Sequence, residues 1–239
     1  MEYSDYEETS GAVTFSDWVR SRSDPLWDRM VQHRFTLDVK SDRLPPDVWR
    51  RYLLYEHAFV ETAVTIFGYA LVKAPSVAEQ VRLSTVLHEL TTKQIDYFDR
   101  VFEHLDVSPD ERQVANVPTA VSSFRDGMLA LAAHGTYEEI IGGMAAAEWM
   151  YLTWCTSAHE QSHSDATVAD WVALHVTPQF ADQVAWLRDQ LDRYGPELPR
   201  RHQEGVARAF RHALELEIEF HHAPYQDGEP AMDRESEEE

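Results

Sequence analysis

From Phe15 to His222 the apolar residues recur at spacings of three and four, and no stretch shows the alternation between hairpin turns that marks a strand. A chain patterned in this way can bury its apolar faces only by packing helix on helix. The breakers agree with that pattern. Asp24-Pro25 reads as an N-cap followed by proline at the first helical position, restarting a helix begun near Phe15. Leu44-Pro45-Pro46 opens a second helix that should run to Lys73, and Pro75-Ser76 opens a third that should reach about Leu105. A fourth is expected over residues 118–133. After Gly135, Thr136 and Glu139 have the spacing of a capping box for a fifth helix extending to about residue 160. A short helix over 166–175, one from Thr177-Pro178 to Gly195-Pro196, and a last one over 198–222 complete an all-α bundle of about seven or eight helices.

The connections are too short to separate domains and there is no internal repeat, so residues 14–225 read as one helical domain. Residues 1–10 hold four acids and no base, and residues 227–239 hold seven acids against one arginine. Segments 1–13 and 226–239 are accordingly expected to be solvated, disordered acidic tails.

Acidic residues outnumber basic ones 42 to 21, for a net charge of −21. Such a polyanion gains nothing from counterion release at a phosphate backbone, so nucleic acid is not an expected partner. An anionic membrane surface is disfavoured for the same reason, and no apolar run reaches the length of a membrane span. The amino terminus lacks the basic and apolar stretches of a signal peptide, and the single cysteine, Cys155, excludes an intramolecular disulfide. A cytoplasmic protein is expected.

In a bundle, a site shows itself as polar groups interrupting an inward stripe. On the second helix Tyr52, Glu56, Phe59, Val60 and Ala63 share a face, which turns Glu56 inward. On the last, Glu217 lies within the stripe formed by Phe210, Ala213, Leu214 and Phe220, with His221 one turn on. On the fifth, Met144, Ala147, Glu148, Tyr151, Trp154 and Cys155 form a third face. A buried carboxylate is costly without a partner, so each acid alone could be half of a structural ion pair. Three of them on three helices suggest a shared polar pocket. Carboxyl groups facing an aromatic-lined cavity suit an N-rich heterocycle, since a carboxylate accepts from an exocyclic amine and a carboxylic acid donates to a ring nitrogen. The same acids with His221 could instead hold iron or manganese.

Four segments, in order, resemble the TenA/thiaminase II family of the heme-oxygenase-like helical proteins: Trp27 with His33-Arg34-Phe35 and Leu44; Arg51-Tyr52-Leu53 through Glu56 and Phe59 to Lys73-Ala74; Glu148-Trp149-Met150-Tyr151; and Glu215 through Phe220, with Tyr225 beyond. The resemblance implies a heme-oxygenase-like bundle and an aminopyrimidine pocket. Its pyrimidine-contacting acid falls on Glu56, its ring-stacking aromatics on Phe59 and Phe124, its fifth-helix tyrosine on Tyr151 and its catalytic acid on Glu217. A further pocket tyrosine falls on His175. The family's nucleophilic cysteine falls on Ala147, which cannot attack a pyrimidine ring. Cys155 lies about 12 Å further along the helix axis and is no substitute.

The resemblance therefore implies hydrolysis of a C–N bond at the exocyclic methylene of an aminopyrimidine, as in thiamin breakdown and salvage. Glu217 would act as acid, and Glu148, next to the vacant cysteine position, as base. It implies a small pyrimidine as partner, no cofactor, no metal, and a homotetramer. Two alternatives remain: a binding or accessory protein that has lost the chemistry with the cysteine, and a non-heme di-iron oxidase using Glu56, Glu148, Glu217 and His221.

Overall fold

The computed structural model describes residues 2–10, 13–112 and 117–226. Among them every regular element is a helix. The first, α1 (Tyr3–Ser10), falls where a disordered tail was expected. Tyr3 explains the difference: it is buried, with its ring 5.1 Å from Phe15 and 5.8 Å from Trp18, so one aromatic anchors an otherwise acidic segment. The expectation for residues 227–239 lies outside the described residues, and Gln226 closes the last helix.

Three short helices follow, α2 (Phe15–Ser21), α3 (Asp24–Val31) and α4 (Arg34–Lys40). The N-cap of α3 is Ser23, not Asp24, and Pro25 stands one residue further into the first turn than expected. The long α5 (Pro46–Lys73) begins and ends where its prolines and Lys73 place it. The third expected helix is interrupted: α6 (Val77–Glu89) and α7 (Ile95–His104) are joined by a π-helical turn, Leu90–Gln94. A single turn, α8 (Pro109–Arg112), precedes α9 (Thr119–His134). Then come α10 (Tyr137–His159), α11 (Ala166–Leu174), α12 (Pro178–Tyr194) and α13 (Arg200–Gln226). The Thr136–Glu139 capping box is fully formed at the start of α10. Helices exceed the expected seven or eight because α1 and α8 are added, the first segment breaks three ways and the third is split by the π turn.

The last helix is the axis of the bundle. It packs along α10 and α9 and against α5 and α3. At Gly142 on α10 a Cβ would stand 3.2 Å from the Val206 carbonyl oxygen, so glycine lets the two backbones approach there. Both ends of α5 are pinned. Arg51 Nε donates to the carbonyl of Pro224 at 2.6 Å, and Lys73 Nζ donates to the carbonyls of Ala132, Ala133 and Gly135 at 2.8, 3.0 and 2.7 Å. The lysine satisfies acceptors that the end of α9 leaves open. Glu56 lies on α5 between these two pins. Among the described residues no helix is long and apolar enough to cross a membrane.

Candidate functional site

A cavity of about 130 Å³ lies between α5, α9, α10 and α13, closed on its last side by the π turn, His175 and Phe180. Its acids are Glu56, Glu148 and Glu217, and its aromatic wall includes Phe59, Phe124 and Tyr151. Ala147 and His175 complete the eight residues singled out in the sequence, all of which border this one space. A cavity in this size class accommodates a single six-membered ring; cavities of roughly 150 Å³ take up benzene.

The aromatic residues do not stand as a sandwich with a slot between Phe59 and Phe124. Those two rings stack on each other, 4.2 Å apart and 17° from parallel, with Phe220 behind Phe124 at 5.0 Å. Tyr151 and His175 form a second stacked pair, 5.0 Å apart and 25° from parallel. The cavity thus has two aromatic walls, each made of a pair. Tyr151 is fixed from behind by a 2.7 Å hydrogen bond between its hydroxyl and that of Tyr52.

The three acids share burial and differ in company. Glu56 is 9% exposed, and burial alone raises its carboxyl to about 8. Glu217 is 2% exposed; burial and then the neighbouring Glu56 charge push it well above the carboxylate range. Its Oε2 has no hydrogen-bond partner. Glu148 also has a buried, unpartnered Oε2, and burial raises it to about 8 against the opposing pull of the Arg82 charge and the Gln183 amide. Among the three it is the one given cationic help toward ionisation.

The histidines are held neutral. His175 Nδ1 lies 2.8 Å from the Trp171 carbonyl, so it carries the proton and donates, and burial lowers the imidazole to about 4. His221, fully buried behind the cavity, donates in the same way from Nδ1 to the Glu217 carbonyl at 2.8 Å, and burial and then His33 lower it to about 3. Its ring does not line the cavity. Among the described residues no three of His, Cys, Asp or Glu come together to hold a metal, so Glu56, Glu148, Glu217 and His221 are not assembled as a ligand set. Cys155 is buried in the core, away from the cavity.

Sequence reasoning missed Leu90, Gln94 and Phe180, which close the cavity. The π turn that carries the first two has no sequence signature. Phe180 stands three residues beyond Thr177, the N-cap of α12, where its inward turn depends on how that short loop is aimed.

Over 213 residues the chain is 20% identical to the aminopyrimidine aminohydrolase of Helicobacter pylori, an alignment covering 88% of this chain and 98% of that protein. Among solved structures, the TenA homologue from P. horikoshii OT3 superposes with a TM-score of 0.81 at 17% identity, over 90% of this chain and all (100%) of that one. The TenA homologue from Pyrococcus furiosus gives 0.81 at 16% identity, over 88% and 100%. The fold is therefore the all-α heme-oxygenase-like bundle of those structures. Residues 20–227, nearly the whole helical body, match the TENA/THI-4/PQQC family, and the chain belongs to it.

Proposed function

We propose that the protein is a hydrolase of aminopyrimidines, cleaving a C–N bond at the exocyclic methylene with carboxyl groups in place of a cysteine. One observation carries the reading: three buried acids without matched ionic partners face a ring-sized space walled by two aromatic pairs. An unliganded structural core has no use for such groups. The match to an aminopyrimidine aminohydrolase supports the substrate class.

In this reading Glu56, as a neutral acid, donates its O–H to a ring nitrogen and accepts from the adjacent exocyclic amine, a two-point match to the aminopyrimidine edge. The aromatic pairs hold the ring faces. Glu217, whose carboxyl is kept protonated by burial and the Glu56 charge, is the general acid: it protonates the leaving nitrogen as the C–N bond breaks. Glu148, the acid that Arg82 and Gln183 help to ionise, is the base: it takes the proton of the water whose oxygen bonds to the methylene carbon. Acids with different neighbours in one cavity can divide the two halves of such a reaction between them. One proton leaves Glu217 and one arrives on Glu148, so the balance closes once they exchange through solvent. A cytoplasmic, homotetrameric enzyme completes the proposal; Tyr69, Val72, Val77 and Val81, exposed together around the α5–α6 corner, offer an apolar face for assembly.

Ala147 favours a second reading, a binding protein that has kept the pocket without the reaction. Calorimetric titration with a hydroxymethyl aminopyrimidine, paired with an ammonia-release assay on the aminomethyl analogue, separates the two. Binding with release is expected. Binding without release supports the binder, and absence of binding overturns both.

A further inference from the structure

A second chamber, of about 220 Å³, adjoins the first. The two share Leu90, Gln94, Glu148, His175 and Phe180 as common wall. The outer chamber adds Gln183, Gln179 and Thr177 over a floor of Val86, Trp171 and Leu174. Gln183 is the unusual member. It is only 7% exposed, yet neither its Oε1 nor its Nε2 has a hydrogen-bond partner. The amide bears on the Glu148 carboxyl at hydrogen-bond range, but the two do not form a well-aligned bond.

The same helix supplies a control. Gln190, two turns along α12 and 6% exposed, accepts from the Tyr137 hydroxyl at 2.9 Å. The fold thus pairs a buried glutamine on this helix where the role is structural and leaves the one that borders a cavity open. A buried amide with both atoms idle is costly, and an occupant with the complementary pair removes the cost. Lys93 pairs with Glu89 at 2.9 Å and Arg82 with Asp182 at 2.7 Å; Glu148, on the shared wall, has no ion partner among the described residues, and burial works against its charge.

We propose that this outer chamber seats the part of the ligand beyond the pyrimidine methylene, and that Gln183 selects an uncharged group presenting a hydrogen-bond donor and acceptor side by side. The inference rests on the aminopyrimidine reading of the inner cavity. It makes Gln183 a specificity-determining residue, placed so that a ligand held at both ends passes its scissile bond beside Glu148.

The test is calorimetric titration of the intact protein with four ligands of one aminopyrimidine ring. At the methylene position they carry a hydroxymethyl, a carboxamidoethyl, a methylbutyl or a trimethylammonioethyl group; the last three are joined through carbon and resist hydrolysis. The carboxamide is expected to bind at least about tenfold more tightly than the methylbutyl isostere and the cation, the worth of two added hydrogen bonds. Gln183→Met, which keeps the volume, is expected to bring the carboxamide-to-methylbutyl ratio below about threefold. Equal affinities in the unaltered protein overturn the proposal while leaving the inner-cavity reading intact, provided the hydroxymethyl ligand binds. Failure of all four to bind overturns both. The ligand series needs no variant, so it decides the question even if Gln183→Met folds poorly.

Discussion

Glu79 and the cavity acids are both glutamates buried on helices of the same bundle, and they have opposite electrostatics. Glu79 is 3% exposed, but Ser76 and Tyr194 hydrogen-bond to it, the tyrosine at 2.8 Å, and Arg193 pairs with it at 3.2 Å. Those partners, led by the Ser76 hydrogen bond, hold its carboxyl below the ordinary range. Glu56 and Glu217, which lie deeper in the bundle and lack such partners, sit above it. Shielding from solvent by itself therefore does not distinguish a site from a strut. The number of partners does: a strut is satisfied by its own protein, and a site is left for something else to satisfy.

The sharpest way to break this comparison is to remove the acids one at a time. Glu217→Gln should lower kcat about a thousandfold, the range of a lost general acid, without lowering the melting temperature. A variant that stayed active, or that unfolded, would turn Glu217 into a strut. The next effect is in stability against pH. Because the folded-state pKa of Glu56 is raised from 4.5 to about 8, folding opposes its ionisation. Its penalty is absent below 4.5, grows as pH rises, and is complete near 8. Denaturant midpoints should accordingly show Glu56→Gln gaining on the parent protein between those limits, by on the order of 4 kcal/mol. A flat difference would contradict the assigned environment.

Glu79 has the reverse sign: its contribution is present above its unfolded-state pKa and is lost as pH falls through the lowered folded value. Glu79→Gln should cost about 2 kcal/mol of stability at neutral pH, with kcat unchanged. The smallest expected effect is a gain. Ala147→Cys restores a nucleophile to the cavity wall and should raise C–N cleavage about tenfold, with a protein–pyrimidine adduct visible by intact-mass measurement. If no adduct forms, Ala147 is not at the position where the ring is attacked.

Much of this arrangement is legible in the sequence because helices translate linear spacing into shared faces. Glu56 and Glu217 interrupt apolar stripes and do point inward, and prolines set the start of α5. What was hidden follows from physics that spacing does not carry. The acidic α1 is held by one tyrosine whose partners, Phe15 and Trp18, are specified only by the folded chain. Nothing in the residues Leu90–Gln94 announces a π turn. Gln183 interrupts the stripe of Val184, Leu187 and Leu191 much as the acids interrupt theirs, but a neutral amide is an ordinary residue until its missing partner is seen. The double phenylalanine wall likewise required knowing that Phe59 and Phe124 stack on one another.

The π turn has a consequence for how such a pocket can change. A π turn holds one residue more than the α-helical path it replaces. Because that extra residue is taken up within the turn, deleting one residue of Leu90–Gln94 would return the segment to continuous helix while the flanking helices keep their phase. The widened turn, and with it the spacing of Leu90 and Gln94 along the shared wall, would be lost. The boundary between the compartments is thus set by one extra residue in a helix turn, so a one-codon event could reshape it without altering a single acid.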